Sequence, residues 1–170
     1  MSLDLAAIIL FIFPPYVANA LPVVFGGKLP IDMGIVAWDG RRLLGDGKTW
    51  KGLFVGVVGG VLVGYAEAFA TGNSAFAFLA LLSSTGAMLG DILGSFIKRR
   101  MNYERGRPSL FMDQLLFIII AFLLSYPVLV QLLPAVLLPE SIALILLTTY
   151  VMHRVMNIIA NKLGLKKVPW

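Results

Sequence analysis

All fourteen Lys and Arg of this 170-residue chain fall in three stretches, 28–51, 98–107 and 154–167, and the apolar runs between those stretches hold none. A hydrocarbon core about 30 Å thick takes about 20 apolar residues in a helix. Five segments satisfy that: roughly 3–25, 53–70, 75–97, 110–132 and 137–160. The expected fold is therefore an all-α integral membrane protein with five transmembrane helices. Cytoplasmic loops are the ones enriched in Lys and Arg. That rule puts the long first loop 26–52, the loop 98–109 and the tail from about Lys162 inside the cell. The uncharged Thr71–Ser74 link and the Pro134–Pro139 turn fall outside, so the N-terminus is expected outside and the C-terminus in the cytoplasm.

Composition limits the partners. With 59% hydrophobic residues and a mean hydropathy of +0.89, the chain is too apolar for an ordinary soluble domain. Its net charge of +5 flanks apolar spans, which favours membrane lipids or phosphorylated substrates over nucleic acid. Having no Cys, the chain has no disulfides, thiolate metal sites or Cys nucleophile. Met1–Asp4 offers no basic n-region, so the first apolar run reads as a retained span.

Along the chain, 1–170 reads as one transmembrane domain. The first span carries Pro14, Pro15 and Pro22, which predict a kink or break near its middle and again near its end. Glycine recurs every fourth residue at Gly52, Gly56, Gly60 and Gly64, and again at Gly86, Gly90 and Gly94. Such stripes let helix backbones approach closely. The expected use is one glycine ridge against the other within a subunit, with a homodimer contact as the alternative. The first loop is long for a chain with short links elsewhere, and loops of that length are functional or disordered. Its mix of Ile31, Ile35, Val36, Trp38 and Leu43 with glycine and charge favours function.

Two places carry chemistry. Leu44–Gly52 contains Gly47-Lys48-Thr49, but a Walker A loop needs a glycine where Arg42 stands, and no strand precedes it. Gly45 and Gly47 still free the backbone to approach a ligand. Lys48 and Lys51 supply charge, and a helix starting near Thr49 aims N–H groups at an anion. The run reads as a phosphate cradle or, alternatively, as a capped helix with snorkelling lysines. On the third span, Asp91, Ser95 and Lys98 fall at i, i+4 and i+7 on one face. Asp113 follows where the chain re-enters the membrane. Ionisable groups at that depth point to function. Two carboxylates among Lys and Arg suit a hard cation with phosphates; the alternative is that each acid pairs with a nearby base. His153 and Arg154 read as a helix terminus, and Glu67 has no evident role.

Together Gly90-Asp91, Ser95, Lys98-Arg99 and Asp113, preceded by Lys48-Thr-Trp-Lys-Gly52, resemble the signature of the membrane phosphatidate cytidylyltransferases (CDP-diacylglycerol synthases). The fuller similarity is to their small archaeal relatives, the CDP-archaeol synthases. It extends through Pro15–Pro22, Gly26-Gly27, Pro30-Ile-Asp32, Asp39–Arg42 and Gly45–Gly52. The sequence departs from the bacterial pattern after Arg99, where Asn102–Gln114 holds no histidine.

The resemblance implies a Mg²⁺-dependent cytidylyltransferase. Its partners are CTP and a prenylated glycerol-phosphate lipid, 2,3-di-O-geranylgeranylglyceryl phosphate, and its products CDP-archaeol and pyrophosphate. It implies Asp91 and Asp113 as metal ligands, with Asp46 on the metal or behind it. Lys48, Lys51 and Lys98 are expected on phosphates. Gly47, Thr49, Ser95, Arg99 and Arg105 complete the substrate-binding set, and Asn19 is assigned to cytosine, the alternative being a buried Asn satisfied within the protein. The residue chemistry agrees, because a lipid phosphate is already an oxyanion and the reaction needs positioning and charge neutralisation more than a side-chain nucleophile. Competing readings are a CDP-diacylglycerol synthase acting on an ester lipid and a small transporter running through Glu67, Asp91 and Asp113. A CDP-alcohol phosphotransferase is excluded, since its Asp-Gly-x-x-Ala-Arg motif is absent.

Overall fold

The computed structural model describes residues 3–103, 109 and 111–165. Five helices, each long and apolar enough to cross a membrane, dominate it: α1 (Leu5–Phe25), α2 (Trp50–Thr71), α3 (Ala75–Arg100), α4 (Met112–Leu132) and α5 (Pro139–Lys162). A short 3₁₀ turn, Pro134–Leu137, joins α4 to α5. The expected spans agree within a few residues. At its basic end α3 runs on to Arg100, so Lys98 and Arg99 belong to the helix and not to the loop expected over 98–109.

Two packing expectations are corrected. First, the expected break does not occur: α1 is one continuous helix through Pro14, Pro15 and Pro22. Lacking an N–H, Pro22 leaves the Ala18 carbonyl without its helical donor, and that oxygen lies against Gly56, where an added Cβ would sit 2.7 Å from it. Second, the two glycine stripes do not face each other. The α2 stripe meets Pro22 and Ala18 of α1 and Met88, Ser84 and Ala80 of α3. The α3 stripe meets α4, where a Cβ on Gly90 would lie 2.6 Å from Leu116 O and one on Gly86 2.7 Å from Ile120 O. A glycine opposite a larger residue achieves the same close approach with fewer voids.

The core gathers Phe11, Leu79, Ile118, Leu129, Val136 and Ile145, all almost fully buried. Its contacts bring the basic stretches together at one end. Arg41 of the first loop hydrogen-bonds the carbonyl of Arg100 at the end of α3. The Tyr150 and His153 rings of α5 approach Phe111 and Phe117 at the start of α4. His153 and Arg154, expected at a terminus, instead lie inside α5, with His153 Nδ1 3.1 Å from Asn157 Nδ2. Near the opposite end of α2, Glu67 is buried.

Candidate active site

The first loop folds as a hairpin. Its base closes where Ile31 N–H donates to Lys48 O (2.8 Å) and Trp50 N–H to Leu29 O (3.2 Å); its tip closes where Leu43 N–H donates to Ile35 O (2.9 Å) and Ala37 N–H to Arg41 O (2.8 Å). Between base and tip stands Asp32, its side chain fully buried. It accepts from Arg42 Nη2 (2.7 Å) and Nε (3.2 Å), and from the N–H groups of Leu44 (3.0 Å), Gly45 (2.9 Å) and Gly34 (3.3 Å). The Arg42 guanidinium, helped by those N–H groups, holds the Asp32 carboxyl well below the usual carboxylate range. Asp32 in turn raises the Arg42 pKa.

That anchor shapes the cradle. Gly45 takes φ +101°, a conformation glycine adopts without Cβ strain, and so presents its N–H to Asp32. Thr49 caps α2: its Oγ accepts from Gly52 N–H and Gly27 N–H, both at 3.1 Å. Thr49 is therefore buried in the cap. Lys48 turns across to α3, its Nζ 2.5 Å from Asp91 Oδ2. A small cleft lies here, lined by Pro22, Ile31, Gly47, Lys48, Met88 and Asp91. Lys51 is exposed, with the start of its side chain lying over Gly27.

On α3, Ser95 is buried one turn beyond Asp91, and Lys98 pairs with Asp113 at the start of α4. Asp113 also accepts from Ser109 N–H at 3.0 Å. The glycine stripe sets this level: Gly94 has Met112, the residue before Asp113, as its backbone neighbour across the interface. Arg99 donates to Tyr103 O (2.9 Å), and its Nε, buried and without a hydrogen-bond partner among the described residues, lies beside Gly45.

The structure thus gathers Gly47, Lys48, Thr49 and Asp91 at one cleft, and brings Lys98 and Asp113 together about two turns further along α3. Each acid takes its own lysine, and the described residues hold no cluster of three His, Asp or Glu. Asp46 is turned towards Arg42 (3.0 Å). Asn19 lies on α1 one turn before Pro22 of the cleft, and its amide makes no hydrogen bond among the described residues. Arg105 lies outside the described residues. Three residues were assigned no part from sequence: Asp32, Arg42 and Arg100. An acid nine positions before an Arg-Arg pair, in a glycine-rich loop, was the available signal for the first two.

The CarS-like CDP-archaeol synthase family model matches residues 2–170. A CDP-archaeol synthase of Aeropyrum pernix is 47% identical, covering 98% of this chain and 92% of its own length. One of Pyrococcus horikoshii is 44% identical, with 94% of each chain covered. A solved structure described as an intramembrane enzyme for archaeal membrane lipids biosynthesis superposes with a TM-score of 0.74 at 39% identity, over 90% of this chain and 91% of that one. With five membrane-crossing helices, a full-length family match and relatives this similar, the chain belongs to the CDP-archaeol synthases, integral membrane enzymes of archaeal lipid biosynthesis.

Proposed function

We propose that this enzyme joins CTP to 2,3-di-O-geranylgeranylglyceryl phosphate, releasing pyrophosphate, with Mg²⁺ and at the cytoplasmic face of the cell membrane. The observation that carries the site is the pair of Lys–Asp contacts, Lys48–Asp91 and Lys98–Asp113, at the basic end of the helices. The donors suit the cation: two carboxylates, 33% and 29% exposed, offer oxygen only. Mg²⁺ is held by one or two carboxylates plus substrate phosphates and water, so a third protein acid is not required. When bound there, the cation would neutralise phosphate charge and polarise the α-phosphoryl group.

The protein's residues do the rest. CTP and lipid phosphate together bring about six negative charges. Lys48 and Lys98, which face Asp91 and Asp113, supply positive charge to the phosphate oxygens, and the two carboxylates would hold the cation. Lys51 and Arg99 add charge at the rim of the cradle, where Gly47 leaves the backbone open. Asn19 offers amide donors and an acceptor to cytosine. The lipid phosphate oxygen attacks the α-phosphorus, the bond to the β-phosphate oxygen breaks, and pyrophosphate leaves against the lysines. No general base is needed, because the nucleophile is already ionised.

The purified enzyme in lipid discs, given CTP and the ether lipid phosphate, should release pyrophosphate only when both are present, and EDTA should stop it. Faster turnover on an ester phosphatidate would overturn the substrate assignment; release without any lipid would overturn the reaction.

A further inference from the structure

The tip of the first-loop hairpin is strongly apolar and uncovered. Met33 is 63% exposed, Ile35 57%, Val36 55% and Trp38 82%. Uncovered apolar clusters of this kind mark an interaction surface. We propose that this tip is an anchor in the bilayer interface, with Val36 and Trp38 at the boundary between headgroups and chains, and that it fixes the depth of the cradle behind it.

Continuity with α3 argues for lipid as the occupant. Leu89, Leu93, Phe96 and Arg100 recur at i, i+4, i+7 and i+11, one stripe of the helix. Leu89 and Leu93 are 47% and 39% exposed on a membrane span, so that stripe faces acyl chains. At its end the Trp38 ring meets Phe96 edge-on, centroids 6.3 Å apart. The Arg100 guanidinium lies 5.3 Å from both ring centroids. The lipid-facing stripe therefore runs directly into Trp38 and then into a cation. Tryptophan concentrates at the membrane–water interface, and arginine stretches its charge out of the hydrocarbon. Arg41, paired with Asp39 at the tip (3.7 Å), adds a second cation beside Trp38 at a level suited to anionic headgroups.

The anchor is tied to the cradle through the same arginine. Arg100 Nη2 donates to Arg42 O at 2.8 Å and to Arg41 O at 3.4 Å. Arg42 is the residue that holds Asp32 and Asp46. A tip seated in the interface thus keeps Gly45–Lys48 at headgroup level, where a lipid phosphate lies.

The test uses the full chain in vesicles at low protein-to-lipid ratio, with Trp50→Phe and Trp170→Phe leaving Trp38 as the sole tryptophan. Emission is read against lipids brominated near the headgroup, lipids brominated at the chain ends, and aqueous iodide. The greatest loss should come from bromines near the headgroup. Dominant quenching by iodide would place the tip in water; quenching by none of the three would mean that protein, such as a second copy, covers it. Either result overturns the proposal. Should the double replacement not fold, Val36→Cys carries an environment-sensitive dye in this cysteine-free chain, with the same quenchers and outcomes.

Discussion

Asp32 and Asp91 are acids of the same basic end, bonded in opposite ways. Asp32 is fully buried, and its oxygens are taken up by one guanidinium and three backbone N–H groups. Asp91 is a third exposed and meets a single lysine. A carboxylate has about four acceptor positions, so Asp32 is close to saturated while Asp91 retains capacity. Saturation fixes a backbone; spare capacity on a charged group at the membrane edge is what a ligand can use. The difference marks Asp32 as a residue that holds the loop and Asp91 as one with capacity left for a ligand.

The sharpest way to break this contrast is Asp91→Asn and Asp113→Asn. Each keeps size and loses the charge that would bind a hard cation in the proposed site. Residues that merely support metal ligands cost 10- to 100-fold when lost, so turnover should fall by at least about 100-fold. The double variant should lose little beyond the worse single one, as for groups acting as a unit. Thermal stability should change little, since partly exposed ion pairs contribute about 0–1 kcal/mol. Near-normal turnover at saturating Mg²⁺ would remove that residue from the metal site.

The spans were legible because the hydrocarbon thickness and the charge partition act locally on sequence. Helix pairing was not. Gly56 faces Ala18 and Met88, and Gly90 faces Leu116, and a periodic stripe says which face is small without saying what it meets. In the site, the i, i+4, i+7 spacing placed Asp91, Ser95 and Lys98 along one face of α3, since helical geometry fixes it. The partners Lys48 and Asp113 arrive from other elements, and that required the fold. Asp32 went without a role because its partners come from a hairpin with only isolated bridges, at Pro30–Thr49 and Val36–Arg42, which leaves no strand periodicity to read.

Asp32→Asn probes the other side of the contrast, and should act on folding before chemistry. Removing one partner of a fully buried pair costs about 3–5 kcal/mol. Arg42 is a third exposed, and water screens it, so about 2 kcal/mol is expected here. Hydrogen exchange at Leu44 and Gly45 should accelerate about 30-fold. The pH dependence has a definite sign. A folded-state carboxyl held below its unfolded value near 4 stabilises fully above that value, and loses the contribution as pH falls through the folded one. Protection of these amides should thus be flat from neutral pH to about 4 and fall only in stronger acid; Asp32→Asn should abolish that fall. Unchanged exchange would break the claim that Asp32 holds the cradle.

Lys48→Ala and Lys51→Ala sharpen the contrast within the cradle against Lys162→Ala at the end of α5. Each removes one positive charge. A hydrogen bond to a charged group contributes about 1.5–3 kcal/mol, so each cradle variant should raise the KM for CTP about tenfold or more, while Lys162→Ala leaves it unchanged. Equal effects in all three would indicate a general field and leave Gly45–Gly52 as a helix cap.

The smallest effect on folding is expected at Gly47, and it isolates ligand from scaffold. A Cβ there would meet nothing within 4 Å, whereas one at Gly90 would lie 2.6 Å from Leu116 O and 2.7 Å from Phe117 Cα. Gly90→Ala must push two backbones apart, and overpacking of that kind costs about 1–3 kcal/mol. Gly47→Ala should leave thermal stability within about 0.5 kcal/mol, since its backbone needs no left-handed conformation. Yet the same methyl stands at the mouth of the cleft beside Lys48, where phosphate must approach the N–H groups at the start of α2. CTP affinity should therefore drop in a protein as stable as the parent. A Gly47→Ala enzyme with unaltered CTP affinity would mean that the nucleotide does not pass over this glycine, and would move the cradle away from Gly45–Lys48 towards Lys98 and Asp113.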